Sequence, residues 1–306
     1  MVAIKKYSLL SIVYCLSIRL IIFLFVAKWL FICSFAQQKT DFPSMQDSVL
    51  FLFNKMISGK TESIRQNYSD QFKLAMISTL NTDNSFHFAF DSLKKYKVII
   101  ESPDKELRIF TWNVEGDDGT QKFFGFVQAY NKKLKKYEVH TLTDKSDGIK
   151  DPQNAAVDNT KWFGAYYYQI ITKKIKKKKY YFLFGWDGNN RVTNKKLIDV
   201  LYFNEKGFPK FGESLFKMEN GKILKRFILE YKAGVFVSLR YDENKNIIVF
   251  DHLSPSNSNL EGQYQFYGPD FTYDGFEFKN EKWQYIKNVD VRNLKNKTNK
   301  YYISPK

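Results

Sequence analysis

The chain has 306 residues, room for one or two domains, and its 44 % hydrophobic and 18 % aromatic content excludes a disordered polymer. It is basic, with 48 Lys+Arg against 32 Asp+Glu and a formal net charge of +16. Two cysteines and three histidines exclude a disulfide scaffold, a zinc ribbon and a histidine-rich metal site.

Residues 1–36 differ from all that follow. They hold Lys5, Lys6, Arg19 and Lys28, no acid, and the apolar runs Leu20 to Ala27 and Trp29 to Phe35, and they end in Ser34-Phe35-Ala36 ahead of polar Gln37-Gln38-Lys39-Thr40. Small residues at the −3 and −1 positions predict a cleaved secretory signal and a periplasmic or cell-envelope protein. Arg19 and Lys28 interrupt the segment, so the alternative is an uncleaved anchor whose two charges reach opposite interfaces. Cys33 is not a lipidation site, because Ile32 stands where a small residue is needed. Cleavage would leave 270 residues with a charge of +12, both Cys15 and Cys33 being lost with the 36-residue leader and its four cations. Such a body has no disulfide and is stabilised by its core.

Residues 37–96 read as an N-terminal helical segment and 97–306 as a β body, together one domain. Ser44 followed by Asp47 is a capping-box pattern, and Met45, Val49, Leu52, Phe53 and Met56 recur at helical spacing. After Gly59, the stripe Ile64, Tyr68, Phe72, Met76 and Leu80 predicts a second helix packed by one face.

From about Val98 the period becomes two. Phe110-Trp112-Val114, Val235-Val237-Leu239-Tyr241, Phe276-Phe278 and Trp283-Tyr285 alternate with polar neighbours as half-buried strands do. Asn220-Gly221 between two apolar pairs predicts a type I′ hairpin. Regular turn punctuation with no long helical pattern predicts an antiparallel meander: a sandwich, an open barrel or an irregular propeller. The tryptophans fall at unequal intervals, so no blade repeat supports a propeller. The polar connection Ser146 to Asn159 either divides two subdomains or links two sheets.

Catalytic signatures are missing: no phosphate-binding glycine loop, no G-x-S-x-G elbow, no H-E-x-x-H. His87, His140 and His252 are scattered, and a lone strand histidine is an ordinary structural residue. Asp242-Glu243-Asn244-Lys245-Asn246 starts like a calcium loop but has Ile247 for the glycine and Leu253 for the glutamate, so it is a turn. No catalytic residue, metal or cofactor is assigned.

Two polar clusters are binding candidates. Trp186, Asp187, Asn189 and Asn190 form a turn after the apolar run Tyr180 to Phe184, and Arg240, Asp251 and His252, with Asp242, sit at the ends of two strands. An indole beside side-chain amides suits a sugar, and turn chemistry alone explains the same residues. Only seven of the 48 cations are arginine, which argues against nucleic acid as a partner. The run Lys173 to Lys179, interrupted only by Ile175, is a solvated hairpin tip or a contact for an anionic envelope surface.

The strings SLKKYKVIIESPDKELRIFTWN (Ser92 to Asn113), DDGTQKFFGFVQ (Asp117 to Gln128), WFGAYYYQII (Trp162 to Ile171), YYFLFGWDGNN (Tyr180 to Asn190) and SLRYDENKNIIVFDHLSP (Ser238 to Pro255) resemble a family of uncharacterised exported proteins of Bacteroidetes-type Gram-negative bacteria. The resemblance implies export and one body with helices before strands, and it assigns no catalytic residue. The sequence thus leads to a non-enzymatic envelope or binding protein for a glycan or an envelope component, touching the membrane only through the leader if that is retained. The alternative is a glycosidase-like hydrolase pairing Asp187 or Asp199 with Asp251 or Glu277.

Overall fold

The computed structural model describes residues 41–291. The predicted leader and both cysteines lie outside them. A helical pair comes first, α1 (Phe42–Ile57) and α2 (Glu62–Leu80). Both stripes point inward in part: Val49, Phe53 and Met56 of α1 and Phe72, Met76 and Leu80 of α2 are buried, whereas Ile64 stays exposed. Helix α1 begins two residues before Ser44, with Pro43 in its first turn, so Ser44 does not cap it. Proline is favoured there because the N–H it lacks would have no intrahelical partner. Thr61 caps α2, its hydroxyl accepting from the Ile64 N–H at 3.4 Å. Among the described residues no helix is long and apolar enough to cross a membrane.

The rest is mainly antiparallel β structure in three sheets, curled into a half-barrel. The first sheet is β1 (Ile99–Glu101), β2 (Leu107–Glu115), β3 (Gln121–Asn131) and β4 (Lys136–Thr143), in that order. The second holds β5 (Val157–Asp158), β6 (Tyr166–Ile175), β7 (Lys178–Asp187), β8 (Thr193–Phe203) and β9 (Pro209–Phe211) in the order β5-β9-β8-β7-β6. The third begins with β10 (Phe216–Lys217) and β11 (Ile223–Leu224); β12 (Phe227–Lys232) returns to pair with β8 of the second. The third is completed by β13 (Leu239–Asp242), β14 (Ile247–Pro255), β15 (Tyr267–Lys279) and β16 (Lys282–Ile286). The β10–β16 pair is parallel.

Three apolar interfaces separate the layers. Phe110, Trp112, Phe124 and Phe126 of the first sheet meet the helices, while Leu107, Ile109 and Val127 on its other face meet Tyr167, Leu183 and Leu197 of the second. Phe182, Phe184 and Val200 on the second sheet's far face meet Phe250, Phe276 and Trp283 of the third. Strands β2 and β7 are therefore covered on both faces, which is why they read as nearly continuous apolar runs. Phe72 sets its ring edge-on to Trp112 at 4.8 Å, and Trp112 donates its indole N–H to Ser69 Oγ at 2.9 Å. Truncating Phe72 to alanine should lower unfolding free energy by about 3–5 kcal/mol. Urea denaturation checks this, and a loss near zero would mean that the helical layer is not part of the cooperative core.

The connector after α2 is pinned by a buried guanidinium. Arg108 donates to the Phe88 and Ser85 carbonyls at 2.6 and 2.8 Å and to Gln128 Oε1 at 2.7 Å. Burial lowers it to about 10, still charged at neutral pH.

Two local expectations are corrected. The Asn220-Gly221 hairpin exists, but only Gly221 has positive φ (81°), and the Gly221 N–H reaches the Met218 carbonyl at 3.0 Å. The turn is thus a longer loop closed by one left-handed glycine rather than type I′, which needs two such residues. The alternation from Val235 to Tyr241 is strand only from Leu239, and Phe236 is 82 % exposed.

Candidate functional site

A cleft of about 920 Å³ opens where the first and second sheets part. Its position follows from the ends of two strands and one connection. β3 contributes Gln121 at its start, β7 contributes Asp187 at its end, and the Ser146–Asn159 connection, which links the first sheet to the second, runs along one wall. Alternation along β7 explains which side chains reach the cleft. Tyr181 and Leu183 face the first sheet, and Asp187, in step with them, enters the cleft; Phe182 and Phe184 face the third. Trp186 leaves the strand on the other side from Asp187, yet the end of its indole comes beside Gln121 of the cleft: a Cβ on Gly188 would stand 2.7 Å from both. The indole also lies near the buried Tyr231 of β12.

Asp187 is 6 % exposed. One oxygen accepts from the Asn189 N–H at 2.7 Å, and the other is 3.8 Å from Lys195 Nζ, beyond hydrogen-bond reach. Lys195 gives its hydrogen bond to Asn189 Oδ1 at 2.8 Å. The Asn189 amide donates to Thr193 Oγ1 at 2.6 Å, and the Thr193 hydroxyl donates to Glu230 at 2.7 Å. Burial pushes the Asp187 carboxyl up to about 6; Asp144 and Glu230 add to the rise, and Lys195 with the Asn189 N–H opposes it.

Asp144, just past β4, is the second acid of the cleft and is used differently. It accepts from the Phe123 N–H at 3.0 Å and from the Ser146 N–H and hydroxyl at 3.0 and 2.6 Å. The Ser146 oxygen in turn accepts from the Gly164 N–H at 2.8 Å. A Cβ on Gly164 would stand 2.6 Å from the Asp144 carboxyl. Gly164→Ala should therefore force apart the segment after β4 and the one before β6 and lower the melting temperature by several degrees, an effect of about 1–3 kcal/mol. An unchanged thermal scan would show that this junction yields freely.

No family model, curated protein or solved structure matches this chain. Among the described residues, no cluster of three or more His, Cys, Asp or Glu could hold a metal ion.

The remaining predicted residues are dispersed. Asn190 closes its own turn, its Oδ1 accepting from the Val192 and Thr193 N–H groups at 2.9 and 3.0 Å. Arg240 lies 3.5 Å from Asp242, and Asp251 accepts from the Ser238 N–H at 2.7 Å. His252 turns the other way, 2.6 Å from Asp274, whose carboxylate also takes the Tyr285 hydroxyl. All of these but Asn190 belong to the third sheet. The carboxylate pairs drawn from the sequence do not assemble: Asp199 is fully buried against Arg226 at 3.0 Å, and Glu277 of the third sheet pairs with Lys279 at 2.7 Å. Asp187 and Asn189 do come together, with Asp144, Gln121 and Lys195, none of which carries a motif. A polar connection beginning next to Asp144 was the one signal for them.

Proposed function

We propose that the protein is an exported binding protein whose Asp187 cleft takes a polyhydroxylated ligand such as a glycan fragment. The observation that carries this reading is the buried, half-satisfied Asp187 carboxylate at the wall of a cleft lined by both polar and apolar side chains. Burial pushes this carboxyl up to about 6, and a buried acid so perturbed at the wall of a cleft is the usual mark of a binding site. Ligand hydroxyls would supply the donors that Asp187 lacks, while Gln121, Lys122 and Lys195 offer donors in return.

Binding is favoured over hydrolysis by the state of Asp144. With three donors already on its two oxygens, it is committed to holding the strands together and is a poor nucleophile or base. The raised Asp187 alone resembles a general acid, so hydrolysis of an oligosaccharide panel is the companion assay.

Glycan-array binding near pH 7.5 is the direct test. Asp187→Asn should weaken binding at least tenfold, since a charged hydrogen bond is replaced by a neutral one. Trp186→Ala, which removes a ring packed beside Gln121 and leaves the carboxylate in place, should weaken it less. The reverse pattern, with Trp186 essential and Asp187 indifferent, would move the site from the carboxylate to the indole.

A further inference from the structure

Three hairpin tips converge at the end of the sheets opposite the cleft. The β3–β4 tip reads Asn131-Lys132-Lys133-Leu134-Lys135-Lys136, the β6–β7 tip turns at Lys176-Lys177, and the β8–β9 turn runs Asn204-Glu205-Lys206-Gly207-Phe208. All three line one hollow of about 320 Å³. The first and third touch directly, because a Cβ on Gly207 would stand 2.4 Å from Asn131 Nδ2. The tips come from two sheets and lie far apart in the chain, so the cluster is made by the fold.

The chemistry of this end is specific in two ways. Cations dominate it: the four lysines of the first tip, Lys176, Lys177 and Lys206 are exposed, against Glu205 as the exposed acid of these turns. The other acids of the hollow have partners, Glu106 binding Lys179 at 2.9 Å with the exposed Lys132 3.8 Å away, and Glu138 taking the Asn131 amide at 2.6 Å. Not every lysine of the run Lys173 to Lys179 is open to solvent. Lys178 sits 3.7 Å from the Tyr202 ring centre and Lys179 is ion-paired; Lys174, Lys176 and Lys177 are exposed, Lys176 lying 3.7 Å from the exposed Glu281. Second, apolar side chains project among the cations. Leu134, at the centre of its lysine quartet, is 55 % exposed, Phe208 51 % and Tyr130 39 %. Isolated apolar residues on a surface need no explanation, but apolar hairpin tips ringed by lysine suit an interface that is negative outside and oily beneath.

We infer that this end docks onto an anionic phospholipid surface, with the lysines against the headgroups and Leu134 and Phe208 entering the acyl boundary. Lysine, a compact point charge, serves this contact without the bidentate geometry that nucleic acid calls for. β7 runs from Lys178 at this end to Asp187 in the cleft, and ten residues at the strand rise span about 30 Å. Docked this way, the cleft points away from the bilayer and stays open to ligand.

Vesicle co-sedimentation tests the assignment. The protein should sediment with phosphatidylglycerol-containing vesicles and not with phosphatidylcholine vesicles, and raising salt should release it. Combined Lys132→Glu, Lys133→Glu, Lys176→Glu and Lys177→Glu substitutions should reduce the bound fraction roughly tenfold or more. Leu134→Ser with Phe208→Ser should reduce it several-fold, leaving the thermal melt unchanged in both variants. Equal binding to neutral vesicles, no binding to either, or capture by soluble heparin without vesicle binding would each overturn the inference. The charge variant should keep the wild-type glycan-array signal, so failure here and failure at the Asp187 cleft are distinguishable.

Discussion

Arg226→Leu is expected to lower unfolding free energy by about 3–5 kcal/mol, the usual consequence of leaving a buried charge without its partner. Arg226 and Asp199 both have fully buried side chains, 3.0 Å apart, between the first and second sheets. Asp199 also accepts from the Val200 N–H at 2.8 Å and from the Tyr167 hydroxyl at 3.3 Å, and that hydroxyl accepts from the Trp162 indole at 2.9 Å. Burial, with Asp199 beside it, holds the Tyr167 phenol well above its ordinary value, so it remains a donor. The guanidinium also donates to the Pro152 carbonyl and lies 5.1 Å from the Phe163 ring centre, and both residues line the cleft. The same substitution should therefore weaken ligand binding as well as stability. Chemical denaturation gives the first number. The double variant Arg226→Met with Asp199→Leu should recover much of the loss, because no charge is then left stranded. A double variant as unstable as Arg226→Leu would assign the effect to packing around Phe163 instead.

The helices and the mainly antiparallel body were legible because each rests on a local pattern: an apolar residue at every fourth position in α2 and apolar runs punctuated by Asp, Asn and Gly. What sequence could not supply was which face each residue takes and which strand ends meet. Trp186 and Asp187 look like one sugar-binding unit, yet adjacent strand residues point apart, and covering both faces of β7 hides which one opens into a cleft. Asp251 and His252 separate for the same reason. Gln121 on β3 and Asp144 just past β4 reach Asp187 only through the stacking of two sheets, a non-local event with no trace in spacing. The Asn220-Gly221 pair shows the converse limit: the hairpin was legible from composition, but the loop length that fixes the turn type was not.

Asp187→Asn should raise stability near pH 8 by up to about 3 kcal/mol while abolishing most binding. The carboxyl titrates near 6 in the folded chain against 3.8 for an ordinary aspartate. Below about pH 4 it is protonated whether the chain is folded or not, and it contributes nothing to the pH dependence. Between 4 and 6 the folded chain keeps a proton that the unfolded chain has lost, so stability falls as pH rises. Above 6 both are ionised and the full penalty of a buried charge is present. An asparagine carries no such penalty, keeps an acceptor for the Asn189 N–H, and should separate from wild type increasingly as pH rises from 4 to 8. Ligand affinity should run the other way in the wild type, falling as pH drops through about 6 because protonation removes the charged acceptor, and the Asn variant should show no such step. Melting temperatures and binding measured on both proteins across that range decide the matter. A stability difference that is flat with pH would mean that Asp187 is already charged and satisfied without ligand, and the cleft would lose the group that marks it as a site.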